Sequence, residues 1–75
     1  MDKLMNILGE INPDIDFETE DALIDGGMLD SFDIVTLVAE INDAYGVQIP
    51  AEMLTSENFN SADAIFALIQ RLREP

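Results

Sequence analysis

Ser31 is the side chain in this sequence best placed to do chemistry. It lies in Gly27-Met28-Leu29-Asp30-Ser31-Phe32-Asp33, between a long acidic stretch and the clearest helical pattern in the chain. A serine hydroxyl is a weak nucleophile unless a neighbouring base activates it. The chain has no histidine and no cysteine, and its one lysine, Lys3, sits in the first turn. Self-contained catalysis is therefore not expected, and no catalytic residue is assigned. Asp-Ser at a helix start also serves as plain capping chemistry, so the dipeptide alone leaves both readings open. Three features point beyond a cap. The serine follows an unusually long loop, and two glycines beside it permit close approach of another molecule. A helix N-terminus offers free amides to a phosphate carried on this hydroxyl. The missing base favours a serine that another enzyme modifies. Asp30 and Asp33 would repel a bound phosphate, and make better contacts for the modifying enzyme or its metal.

The charge balance says what could meet this site. Sixteen acidic residues face three basic ones, for a net charge of −13, and no positive side chain occurs between Lys3 and Arg71. Such a surface repels nucleic acid and anionic lipid and attracts basic partners over a range set by ionic strength. With 48% hydrophobic residues the chain should nonetheless fold around a core rather than remain disordered. The expected unit is a single domain over residues 1–75, monomeric, soluble and cytoplasmic. No apolar run approaches the ~20 residues of a membrane span, and no signal peptide opens the chain.

The elements that must position the serine follow from spacing. Asp2 is a candidate cap for a first helix with Leu4, Ile7, Leu8 and Ile11 on one face, stopped by Asn12-Pro13. From Asn12 to Asp30 no period is sustained; Phe17, Leu23, Ile24 and Leu29 should pin this loop to the core, with a short helical turn near Ala22 to Asp25. Asp14-Ile15-Asp16-Phe17-Glu18 starts like a calcium loop. An EF-hand needs glycine at its sixth position and glutamate at its twelfth, where this chain has Thr19 and Asp25. A solvated acidic loop that collects divalent cations loosely is the better reading, and no metal site is assigned.

The second helix is expected from Ser31 to Tyr45, capped by Asp30 and closed by Gly46. Ile34, Leu37, Val38, Ile41 and Tyr45 form its core stripe. Phe32, Val35 and Ala39 form a second apolar strip, flanked by Asp33, Glu40 and Asp43. That strip is either a docking face for a basic, partly apolar partner or, for Phe32 and Val35, packing under the loop or against a neighbouring helix. Pro50 should open a short helical piece through Leu54. Asn60 or Ser61 should cap a last helix carrying Ile65, Phe66, Leu68, Ile69 and Leu72, with Arg71 and Arg73 at its C-terminal end. The fold expected is all-α: three main helices plus one short one, with a long loop between the first two.

Leu29-Asp30-Ser31-Phe32, Val35, Leu37-Val38, Glu40-Ile41, Tyr45-Gly46-Val47, Ile49-Pro50, Phe59 and Ser61-Ala62-Asp63-Ala64-Ile65 together resemble an acyl or peptidyl carrier protein. The resemblance spans nearly the whole chain. It implies that Ser31 carries 4'-phosphopantetheine, derived from coenzyme A, whose thiol holds a cargo as a thioester. It further implies that Asp30, Phe32 and the acidic face of the second helix meet a phosphopantetheinyl transferase, then a loading enzyme and downstream transferases or synthases. Phenylalanine follows the serine where fatty-acid carriers usually have leucine. Gly-x-Leu-Asp-Ser-Phe and Asn58-Phe59-Asn60-Ser61 are more similar to D-alanyl and other discrete aminoacyl carriers. Fatty-acid or polyketide carriage stays open as the first alternative, and an unmodified acidic interaction module or weak calcium binder as the second.

Overall fold

The computed structural model describes residues 2–73; residues 1, 74 and 75, the ends of the expected domain, lie outside it. Its elements are α1 (Asp2–Ile11), α2 (Ser31–Tyr45), a 3-10 turn (Ala51–Met53), α3 (Ser56–Phe59) and α4 (Ala62–Arg73). Among the described residues there is no strand, and no helix is long and apolar enough to cross a membrane. The architecture is the expected small all-α bundle, with α1 packed on α2 and α4, and α3 folded against α4.

Fully buried Leu4 and Leu8 of α1, Leu37 and Ile41 of α2, and Ile65, Leu68 and Ile69 of α4 form the centre of the core. Each such side chain contributes about 1.5–3 kcal/mol of burial. Phe17, Leu23 and Leu29 of the loop join them, so the loop is pinned as expected, and among the described residues no polar or charged residue is fully buried. Ile34, Val38 and Tyr45 complete the α2 stripe at its partly buried edge.

Two details refine the sequence reading, and a third decides between its two candidate caps. Asp2 is the first helical residue rather than a residue ahead of the helix; its carboxylate lies in the first turn, where the dipole favours it. The helical piece after Pro50 is a 3-10 turn, capped by Leu54, and a separate helix, α3, follows it. Asn58 ties the two together, since its Nδ2 donates to the Met53 carbonyl (3.0 Å) and its Oδ1 accepts from Arg71 (3.1 Å). Ser61 is the cap of α4, its Oγ accepting from the Ala64 amide at 3.0 Å.

Asn60 is turned instead toward the long loop. Its Oδ1 accepts from the amides of Ile24 (3.0 Å) and Asp25 (3.1 Å), and its Nδ2 donates to the Asp25 carboxylate (2.9 Å). Upstream, the loop is a run of turns. Asn12 Oδ1 accepts from the Asp14 amide and Asp16 Oδ1 from the Glu18 amide. Among the described residues no three acidic side chains converge into a group able to hold a metal ion.

Candidate functional site

Asp30 adopts an extended conformation, and its Oδ1 accepts from the Asp33 amide at 2.8 Å. Asp33 Oδ2 accepts in return from the Asp30 amide at 3.4 Å, closing a capping box with aspartate where glutamate is usual. The first intrahelical bond runs from the Ile34 amide to the Asp30 carbonyl (3.0 Å). The helix start is therefore fixed between two carboxylates, and Ser31 is its first helical residue.

Ser31 is exposed, and among the described residues no partner holds its hydroxyl. The amides of Ser31 and Phe32 belong to the four at a helix start that lack an intrahelical acceptor. The approach is shaped by the preceding turn. Gly26 passes so close to Ala22 that an added Cβ would lie 2.6 Å from its carbonyl oxygen, and Gly27 takes φ +73°. Together they fold the chain back sharply enough for Leu29 to be buried two residues before the exposed serine.

Phe32 is 78% exposed and Val35 64% exposed. The loop does not cover them, which resolves the choice left open by the sequence in favour of surface. Met28, also exposed, lies three residues before the serine. Three of the four exposed large apolar side chains among the described residues thus fall within four residues of Ser31. Ala39, Glu40 and Asp43 are exposed further along α2, whereas Asp33 is half-buried and committed to the cap.

An open groove of about 260 Å³ separates α1 from α2. Phe32, Asp33 and Glu40 line it from α2, and Ile7, Glu10 and Ile11 from α1. The acidic flank of α2 therefore faces another carboxylate across an apolar floor, while Val35, Ala39 and Asp43 lie outside the groove. The sequence does not single out Glu10, because α1 reads there as a core stripe ending at Ile11; only the packing of two helices brings it to the same groove as Glu40.

Residues 2–69 match the family model described as "Phosphopantetheine attachment site". The chain belongs to that family. Phosphopantetheine-attachment proteins are carriers rather than catalysts, and the group they carry, 4'-phosphopantetheine, is covalently bound. Among curated relatives, D-alanyl carrier proteins of Streptococcus equi subsp. zooepidemicus (strain MGCS10565) and Streptococcus equi subsp. equi (strain 4047) are each 30% identical over 60 residues. The match covers 80% of this chain and 76% of each relative. No solved structure matches the chain. The site suits a covalently attached phosphodiester in one respect above others: the Ser31 hydroxyl is accessible and unengaged, so linking it costs no internal hydrogen bond.

Proposed function

We propose that this protein is an aminoacyl carrier in which Ser31 is the attachment point for 4'-phosphopantetheine. The observation that carries the proposal is an exposed, unpartnered serine hydroxyl fixed at the first position of α2, in a chain without histidine or cysteine. When bound, the arm supplies the thiol that the chain lacks and holds the cargo as a thioester. The protein's own residues do the presenting. Asp30 and Asp33 lock the helix start through their reciprocal bonds. The Ser31 and Phe32 amides partly offset the charge of the phosphodiester, while the two carboxylates keep it from settling against the helix.

Asp30, Phe32, Asp33, Val35, Ala39, Glu40 and Asp43 form the face read by partners: a phosphopantetheinyl transferase, an aminoacyl-loading enzyme and downstream transferases with basic docking surfaces. Burying Phe32 and Val35 gives such contacts their apolar centre, and the carboxylates give them orientation and on-rate. The D-alanyl carrier relatives support an aminoacyl cargo. Residues 1–75 act as one carrier domain, and the cytoplasm, where coenzyme A and adenylating enzymes meet, is the setting this reading implies.

Intact-mass analysis after incubation with coenzyme A, magnesium and a broad-specificity transferase tests the attachment. The wild type should gain one phosphopantetheine and Ser31→Ala none. No gain on wild type, or an equal gain on Ser31→Ala, sinks the carrier assignment at this residue. Charging of the modified protein by a D-alanine-adenylating enzyme supports the aminoacyl cargo; charging by a malonyl transferase alone reassigns it to fatty-acid or polyketide synthesis.

A further inference from the structure

Asn60 lies 29 positions from Ser31 in sequence, yet its hydrogen bonds lead to it. Its amide closes α3 on the Ser56 carbonyl (2.9 Å), and its carbonyl accepts from the Leu23 amide (2.9 Å). Its side chain serves neither α3 nor α4. Instead it holds the two amides and the carboxylate of Ile24-Asp25, at 3.0, 3.1 and 2.9 Å. From that point the chain is bonded continuously toward the serine. The Ile24 carbonyl accepts from Gly27 (3.1 Å), and the Leu23 carbonyl accepts from both Met28 (2.9 Å) and Leu29 (3.0 Å). Leu29 is buried, Asp30 is the cap, and Ser31 follows.

We infer that Asn60 is the positioning residue for Ser31. It anchors the turn through residues 23–29 to the α3–α4 junction, and so holds the serine in one orientation for the enzyme that modifies it. This rests on Ser31 being the attachment point. A binding surface that is competent only part of the time binds more weakly by the competent fraction, without any change in its contacts once bound. Loss of Asn60 should therefore appear in KM and leave kcat alone. The Asp25 contact supplies a rescue. Asn60→Asp still accepts from the Ile24 and Asp25 amides but sets a carboxylate against the Asp25 carboxylate. Adding Asp25→Asn returns an amide donor to the pair with the roles reversed.

The test measures transferase kinetics with coenzyme A alongside amide hydrogen exchange. Asn60→Ala should raise KM for the carrier about tenfold with kcat within about twofold. The Ile24, Asp25, Met28 and Leu29 amides should exchange faster by a similar factor, with those of α2 and α4 unchanged. Asn60→Asp should behave alike, and Asp25→Asn with Asn60→Asp should recover the wild-type KM. Faster exchange in the turn with an unchanged KM overturns the inference, as does a double variant no better than Asn60→Asp. If Asn60→Ala loses helicity, the swapped pair decides alone. A wild type that is never modified removes the Ser31 assignment itself; a modified wild type whose KM ignores Asn60 overturns only its positioning role.

Discussion

The two ends of α2 are built on opposite plans. At its N-terminal end lie Ser31, the two capping carboxylates and the exposed apolar side chains of Phe32 and Val35. At its C-terminal end Tyr45 has the Lys3 ammonium 5.1 Å and the Arg73 guanidinium 5.8 Å from its ring centre. Lys3 also donates to the Ala44 carbonyl at 3.3 Å. The last turn of α2 has no basic residue of its own, so α1 supplies the positive charge that a helix C-terminus favours. The third cation, Arg71, is bonded to Asn58. Every positive side chain is thus engaged in holding the bundle together, and the N-terminal end of α2, the proposed docking end, is left with uncompensated carboxylates. Scaffold and proposed docking surface occupy one helix but draw on different charges.

The sharpest way to break this comparison is Tyr45→Ala. Removing the ring on which three helix ends converge should cost about 2–3 kcal/mol of unfolding free energy, measured by urea denaturation, with the KM for Ser31 modification unchanged. A rise in KM would mean that the two ends are coupled. Reversing charge on the exposed face of α2 with Glu40→Lys and Asp43→Lys should do the converse. Partner kinetics should slow by about tenfold at low salt, with the difference fading as salt is added and helicity by circular dichroism retained. Loss of helicity would place these residues in the scaffold.

A smaller effect of defined sign is expected at the Tyr45 hydroxyl, which is buried with no hydrogen-bond partner among the described residues. Because an unpaired buried polar group is unfavourable, Tyr45→Phe should raise stability by about 0.5–1 kcal/mol; a loss would show that the hydroxyl is satisfied in solution. Smallest should be the response to monovalent salt. Screening of a net charge of −13 should raise Tm by a few degrees, and a flat melting profile would contradict this.

Local chemistry was legible in the sequence and long-range chemistry was not. Asp30, Ser31, Tyr45 and Gly46 bound α2 as expected because caps act within one turn. The core stripe of α2 followed from its period. Phe32 was undecided because period shows only that a residue lies off the core axis, not whether a loop covers it. The roles of Asn60 and Ser61 could not be separated, since either can cap a helix; the choice depends on Ile24 and Asp25, over thirty residues away. Likewise Lys3 read as an isolated charge until α1 and α2 were packed together.

Tyr45 is also the chain's only tyrosine, and there is no tryptophan. It stands fourteen residues along α2 from Ser31, a distance of about 21 Å at the usual helical rise. The protein therefore contains one phenol and no indole, so absorption beyond the phenylalanine band comes from a single ring, placed where three helix ends meet and remote from the serine. Its tyrosine band, apart from the shorter-wavelength phenylalanine bands, reports on the closure of the bundle. Folding can then be followed optically in the same sample in which modification and loading are followed by mass.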